Sequence, residues 1–383
     1  MIDSFNPIEA NNNLAYKEYA MKKTAILFGM MFLIIQAASL SFPQKIKIPS
    51  YTTPSIRPQG PANFFDKPEE YLNWQAQNLL NMAEEITGRF PPQVQEPIER
   101  YMAMLMLDAV FHDVSAPERP AVQKFHHRRM ELAAKEMENT RVVEGAIIWK
   151  MYDMGFVIRT NSVTIGFDLI RGHFVGAEGF PIEDFLMTRI IDQCDAHFIS
   201  HRHGDHADPW VVQTFIDQGK PVVAPPDLWP EEPIFDAITH LDRKAHSIQS
   251  LKIQSGKQEL KVVVYPGHQG ERILNNVVLI ISPEGLSFCQ TGDQSYDQDF
   301  NWIDTVGKNH RVDVLMPNCW GRNPPRTAQG FNPRLIIPGH ENELGHSIDH
   351  REAYVLDYSR WQVPYPKLIM TWGESYHYVP KKK

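Results

Sequence analysis

Apolar positions along this 383-residue chain change their period once, near residue 140. Before that point they recur at helical spacing. Asp66 can cap a first helix with Glu69 three residues on, and Tyr71, Trp74, Leu79, Met82 and Ile86 supply its apolar positions. Gly88 and the Pro91-Pro92 pair stop it. A second helix is predicted over 94–114, with Met102, Leu105, Met106, Ala109 and Val110 on its apolar side, and a third over 117–139. After about residue 141 the pattern becomes short β-branched runs between turns. Strands are predicted at 146–151, 155–159, 162–168, 196–200, 221–224, 258–265, 276–282, 285–290, 312–317 and 334–338. Helical stretches at 181–193 and 209–218 fall between them. Strands alternating with helices, together with meanders, predict a layered α/β architecture rather than a pure sandwich.

The N-terminal end reads as an address. From Met21 the chain carries Lys22 and Lys23, an apolar run over 25–35, and small residues at Ala37, Ala38, Ser39 and Ser41. That order is a secretory signal peptide, which predicts a periplasmic or secreted protein and a mature N-terminus between about residues 38 and 44. The run is short of the roughly twenty apolar residues of a membrane span, so membrane contact is expected only through this segment if it stays uncleaved. Met21 is the expected start, which makes residues 1–20 an extension. The resulting plan is 1–41 extension and signal, 42–65 a Pro-, Ser- and Thr-rich linker, 66–140 a helical segment, and 141–383 the domain of strands and helices.

Composition narrows the function. Thirty-eight basic residues against forty-six acidic ones leave no surplus for phosphate backbones, so nucleic acid is not an expected partner. Cys194, Cys289 and Cys319 cannot form a disulfide framework and lack zinc-finger spacing. Sixteen histidines are many, and their clustering carries the chemistry. Directly after the predicted strand at 196–200 comes His201-Arg202-His203-Gly204-Asp205-His206. Imidazoles and carboxylates suit zinc, manganese or iron, and Gly204 lets the chain turn so that Asp205 and His206 face a second position. His268 in Tyr-Pro-Gly-His, Asp293 in Thr-Gly-Asp and His340 in Pro-Gly-His each follow a hydrophobic strand. Alone, each reads as a turn or cap residue. With the first cluster, they predict ligands presented on one rim of a rigid sheet.

These motifs, in this order over residues 145 to 375, resemble the metallo-β-lactamase-fold superfamily. The resemblance implies an α/β, four-layer αββα sandwich preceded here by the N-terminal helical segment. It implies two metal ions per chain, zinc by default, with manganese or iron as options. His201, His203 and His268 would hold the first ion; Asp205, His206 and His340 the second; Asp293 would bridge both. Asp168, at the end of an early strand, would orient a ligand rather than bind metal. The strand 155–158, the Thr-Gly-Asp turn and the strand 314–317 are similar to the branch with ascorbate phosphate lactonases and N-acyl-phosphatidylethanolamine phospholipase D. A bridging aspartate at 293 makes antibiotic hydrolysis a poor guess.

The implied activity is a dinuclear-metal hydrolase that cleaves an ester-like bond, phosphodiester or lactone, with a metal-bound hydroxide. Asp205 would orient the nucleophile. His346 is the first candidate for proton donor to the leaving group and Tyr296 the second. Trp320 and Arg322, in a Pro- and Gly-rich loop, are candidate contacts for a small-molecule or lipid-like ester. His126, His127, His310, His350 and His377 read as structural or surface residues. The alternatives are an iron-dependent redox enzyme on the same fold and a non-catalytic metal-binding module.

Overall fold

Alternation along the strands decides the layers. In β1 (Ala146–Lys150) Ile148 faces one core while its neighbours Ile147 and Trp149 face another, and all five residues are buried. A strand buried on both faces must lie between two packed layers. The computed structural model describes residues 64–172, 178–253 and 259–380, and the signal segment and most of the 42–65 stretch lie outside them.

The described strands form two six-stranded sheets. The first runs β12-β1-β2-β3-β4-β5 and the second β11-β10-β9-β8-β7-β6. The first comprises β1, β2 (Phe156–Arg159), β3 (Thr164–Phe167), β4 (Ala196–Phe198), β5 (Val222–Val223) and β12 (Ser375–Tyr378). The second comprises β6 (Gln249–Lys252), β7 (Glu259–Gln269), β8 (Ile273–Ile281), β9 (Ser287–Gln290), β10 (Val314–Met316) and β11 (Leu335–Ile336). Ile148, Phe156, Ile165 and Phe198 from the first sheet share one core with Val262, Val264, Ile280, Phe288 and Met316 from the second. The outer face of the second sheet, with Tyr265, Leu279 and Leu315, packs on α6 (Phe300–Ile303), α7 (Val306–Asn309) and α8 (Pro324–Phe331). The four layers are therefore helix, sheet, sheet, helix, as expected.

On the outer face of the first sheet lie α1 (Pro68–Arg89), α2 (Ile98–Phe111), α3 (Pro120–Asn139), α4 (Asp184–Asp192) and α5 (Pro209–Asp217). Leu80, Met104, Leu107, Phe111, Val122 and Met137 join Trp149 and Val157 in one core. Each such side chain contributes roughly 1.5–3 kcal/mol on burial. The helical segment is thus an integral outer layer, and the described residues form one compact unit. Asp66 does not cap α1. It takes a left-handed backbone, and the helix starts at Pro68 with no side-chain cap.

Strand direction sets the functional edge. β1 and β3 are both antiparallel to β2, and β4 is parallel to β3, so these three strands end on the same side. In the second sheet β7 and β9 are both antiparallel to β8, while β10 and β11 run parallel to β9. Their C-terminal ends likewise share one edge, the usual place for a site in a parallel sheet. One strand runs further than its sequence suggests. β7 continues through Pro266 to Gln269, pairing His268 with Leu274 of β8, so His268 sits in a hairpin rather than a tight turn. Among the described residues no helix is long and apolar enough to cross a membrane.

Candidate metal centre

β4 delivers the His201–His206 loop, and α5 follows at once, capped by Asp208 accepting from the Trp210 amide at 2.9 Å. Gly292, after β9, has φ 50°, and a Cβ there would stand 2.3 Å from that of Ser200. Only glycine lets the Asp293 turn press against the histidine loop. His340, after β11, also has a left-handed backbone, with φ 73°.

The side chains meet in a buried cluster. His206 Nε2 lies 3.1 Å from Asp205 Oδ2 and 3.4 Å from Asp293 Oδ1. His340 Nε2 lies 3.3 Å and 3.4 Å from the same two atoms. His201 Nε2 approaches the other oxygen of Asp293, Oδ2, at 3.6 Å. Asp293 thus turns one oxygen to His201 and the other to His206 and His340, the disposition a bridging carboxylate needs. Asn318 Nδ2 donates to its Oδ1 at 2.6 Å and Gln269 Nε2 to its Oδ2 at 3.0 Å, which fixes the carboxylate plane. His203, half-buried, stacks edge-on to His201 with ring centroids 4.6 Å apart. His268 stands at the rim, bonded through Nδ1 to Asp299 Oδ1 at 3.0 Å.

Asp168 is bonded to His206. Its carboxylate is fully buried and accepts from the Ser200 amide (2.7 Å), Ser200 Oγ (2.8 Å), His206 Nδ1 (2.9 Å) and Gln290 Nε2 (2.6 Å). A carboxylate on Nδ1 fixes the ring and leaves Nε2 to face the cluster.

These residues fit a metal. The Nε2 atoms of His201, His206 and His340 are buried with no hydrogen-bond partner, although each faces a carboxylate. Buried polar atoms are ordinarily satisfied, and a shared cation would satisfy all of these together. Asp205, His206 and His340 place one donor atom each within 4.8 Å of one another, joined there by Asp153, and His201, His206 and Asp293 do the same. Charge agrees. Burial opposes ionisation of Asp205 and Asp293, yet His206 and His340 hold both carboxyls well below the usual range. Burial likewise opposes protonation of His206 and His340, but the carboxylates hold both imidazoles well above theirs. Burial dominates at His201 and pushes it down, toward the neutral form a ligand needs.

The candidate proton donor His346 is half-exposed, 6.4 Å from the His340 ring between centroids, with Nδ1 against the buried Glu343 carboxylate. That pairing outweighs burial and raises it to about 8. Tyr296 packs edge-on against His268 at 5.7 Å. Trp320 stands edge-on to His340 at 5.8 Å. The guanidinium of Arg322 pairs with exposed Asp297 at 3.1 Å. Sequence reasoning missed Asp153, Asn318, Gln269, Asp299 and Glu343. No local motif marks them, since each acquires its role from a partner more than two residues away.

Layer order and motif order now agree. The chain has the metallo-β-lactamase fold. No protein-family model and no curated protein matches the sequence. Among solved structures, it is similar to Igni18, a metallo hydrolase from the archaeon Ignicoccus hospitalis, at 12% identity and TM-score 0.45, over 62% of this chain and 99% of that one. An isothiocyanate hydrolase from Delia radicum gut bacteria aligns at 12% identity and TM-score 0.44, over 61% and 99%. CmlA, a diiron β-hydroxylase from Streptomyces venezuelae, aligns at 14% and 0.45, over 62% and 55%. Likenesses this loose assign no residue a role.

Proposed function

We propose that this protein is a dinuclear-metal hydrolase acting on an ester-like bond, phosphodiester or lactone, in a small or lipid-like substrate. The observation that carries the reading is the convergence of three unpartnered imidazole nitrogens, on His201, His206 and His340, upon Asp205 and Asp293. His201, His203 and His268 would hold one ion and Asp205, His206 and His340 the other, with Asp293 between them. Such a pair supplies an acidified water and polarises a carbonyl or phosphoryl oxygen. Zinc is the default occupant for this nitrogen-rich set.

The chain's own residues do the rest. Asp168 keeps the His206 proton on Nδ1, and Asn318 with Gln269 holds Asp293 in one plane. His346 keeps Nδ1 on Glu343, which leaves Nε2–H to protonate the leaving group. A value of about 8 keeps it charged at neutral pH. Trp320 offers an apolar wall beside His340. A second reading, an iron-dependent oxygenase, draws support from the three buried carboxylates Asp153, Asp205 and Asp293, since hard ligands suit iron.

The test is metal analysis of purified protein followed by chromogenic phosphodiesters and lactones. About two ions per chain and hydrolysis abolished by chelation are expected. Catalysis that survives exhaustive chelation refutes the proposal, and oxygen consumption by an iron-loaded form without hydrolysis favours the second reading.

A further inference from the structure

Three histidines of the centre have a fixed partner on Nδ1. His206 is held by Asp168, His268 by Asp299, and His201 meets Ser200 Oγ at 3.1 Å. His340 has no such bond. Its Nδ1 faces Asp153 Oδ1 at 3.4 Å. Both atoms are fully buried, and neither oxygen of Asp153 nor either ring nitrogen of His340 has a hydrogen-bond partner.

Asp153 lies in the turn after β1, on the same edge as the other site residues, with φ 54°. The turn is fastened to the His340 loop through other atoms. Lys150 Nζ donates to Asp153 O at 2.6 Å and to Glu341 Oε2 at 2.9 Å, and the His340 amide donates to Asp153 O at 3.3 Å. Gly339 makes the approach feasible, since a Cβ there would lie 2.7 Å from Met154 Sδ and 3.0 Å from Lys150 Nζ. These contacts hold the backbone without the Asp153 carboxylate. Turn aspartates usually bond a nearby backbone amide. This one bonds none, and burying a carboxylate without a partner is expensive.

We infer that Asp153 is the positioning residue of His340: its carboxylate accepts the Nδ1 proton and keeps Nε2 directed at Asp205 and Asp293. The inference rests on the metal-centre reading above. Asp153 is no ligand in it and acts only through the ring.

Asp153→Asn keeps the shape and removes the charge. Metal content, stepwise affinity against a chromophoric chelator, and the visible spectrum of the cobalt-loaded protein are compared with the parent chain. The expected result is an unchanged affinity for the first ion, a second ion weakened about ten- to a hundred-fold, and an altered cobalt spectrum. Nitrogen-15 histidine spectra of the zinc-loaded parent chain make the test independent of how the variant folds. They should show His340 protonated on Nδ1 and not on Nε2. A folded variant with parental affinity and spectrum, or a His340 proton on Nε2, overturns the inference while leaving the hydrolase reading intact. A parent chain that holds no metal overturns both.

Discussion

Asp168→Asn tests how the centre is held. The aspartate accepts four hydrogen bonds, three of them on Oδ2 from Ser200 Oγ, His206 Nδ1 and Gln290 Nε2. With its carbonyl on the Ser200 amide, asparagine turns an NH2 toward those three donors. The Ser200 hydroxyl can rotate and accept. Gln290 can flip, because its Oε1 has no partner, at the loss of its 3.3 Å bond to Met154 O. His206 is the group without a harmless escape. To accept at Nδ1 it must carry its proton on Nε2, the atom that faces Asp205 and Asp293. In the metal-free chain the loss is the charge-assisted bond between His206 and Asp168, worth about 1.5–3 kcal/mol, so the variant should lose about that much in a urea melt. Metal affinity should fall about ten- to a hundred-fold, or about 1.4–2.8 kcal/mol, and activity should return partly as metal is added. The measurement is chelator competition beside paired melts. A stable variant with parental affinity would show that the tautomer of His206 is not set by Asp168.

Asp293→Asn should behave differently: its two oxygens face different histidines, so both ions weaken and excess metal should not restore turnover, as metal titration of initial rates would show. His346→Gln should slow turnover about 10²- to 10⁴-fold. In the parent chain the protonated ring is the active form, so rates should fall as pH rises through about 8, and that limb should vanish in the variant. The folded value lies above the ordinary 6.5, so the stability His346 contributes is fully present below about pH 6.5 and is lost as pH rises through about 8. Metal loading must displace protons from His206 and His340, both raised, so uptake in weak buffer should release about two protons and affinity should climb with pH. Uptake without acidification would contradict those protonation states.

Much of this was legible because the chemistry sits where hydrophobic strands end. All ten predicted strands overlap distinct observed strands, which places His201–His206, Asp293 and His340 at an edge, although β5 shrinks to Val222–Val223 and β11 to Leu335–Ile336. The sequence hid β6 and β12 for a physical reason. Both are edge strands, with Leu251 and Tyr378 as their only buried residues, so neither shows a clear period of two. It also hid the second partners of the candidate ligands. Asp299 reaches His268 across thirty-one positions and Asn318 reaches Asp293 across twenty-five, separations that only the folded sheets close. Arg322 pairs at the surface with Asp297, twenty-five positions away, a partner that the loop's own sequence does not name.

The helical segment supplies no ligand, yet the His340 loop is fastened to it. Asp108 of α2 accepts from Asn342 Nδ2 at 3.0 Å and from the amides of Tyr354 and Val355 at 2.8 and 3.1 Å. Arg351 donates to the carbonyls of Phe111 and Asp113, and His112 Nε2 bonds Arg351 O, so the free C-terminal groups of α2 are closed by the same loop. Arg100, fully buried, forks onto Glu374 next to β12. Were α1 to α3 a detachable domain, its boundary would not run through buried charged pairs, because each would leave an unpaired ion behind. The change of period near residue 140 therefore marks a change of secondary structure inside one folding unit. Its first helices act as the outer wall against which the His340 loop is braced.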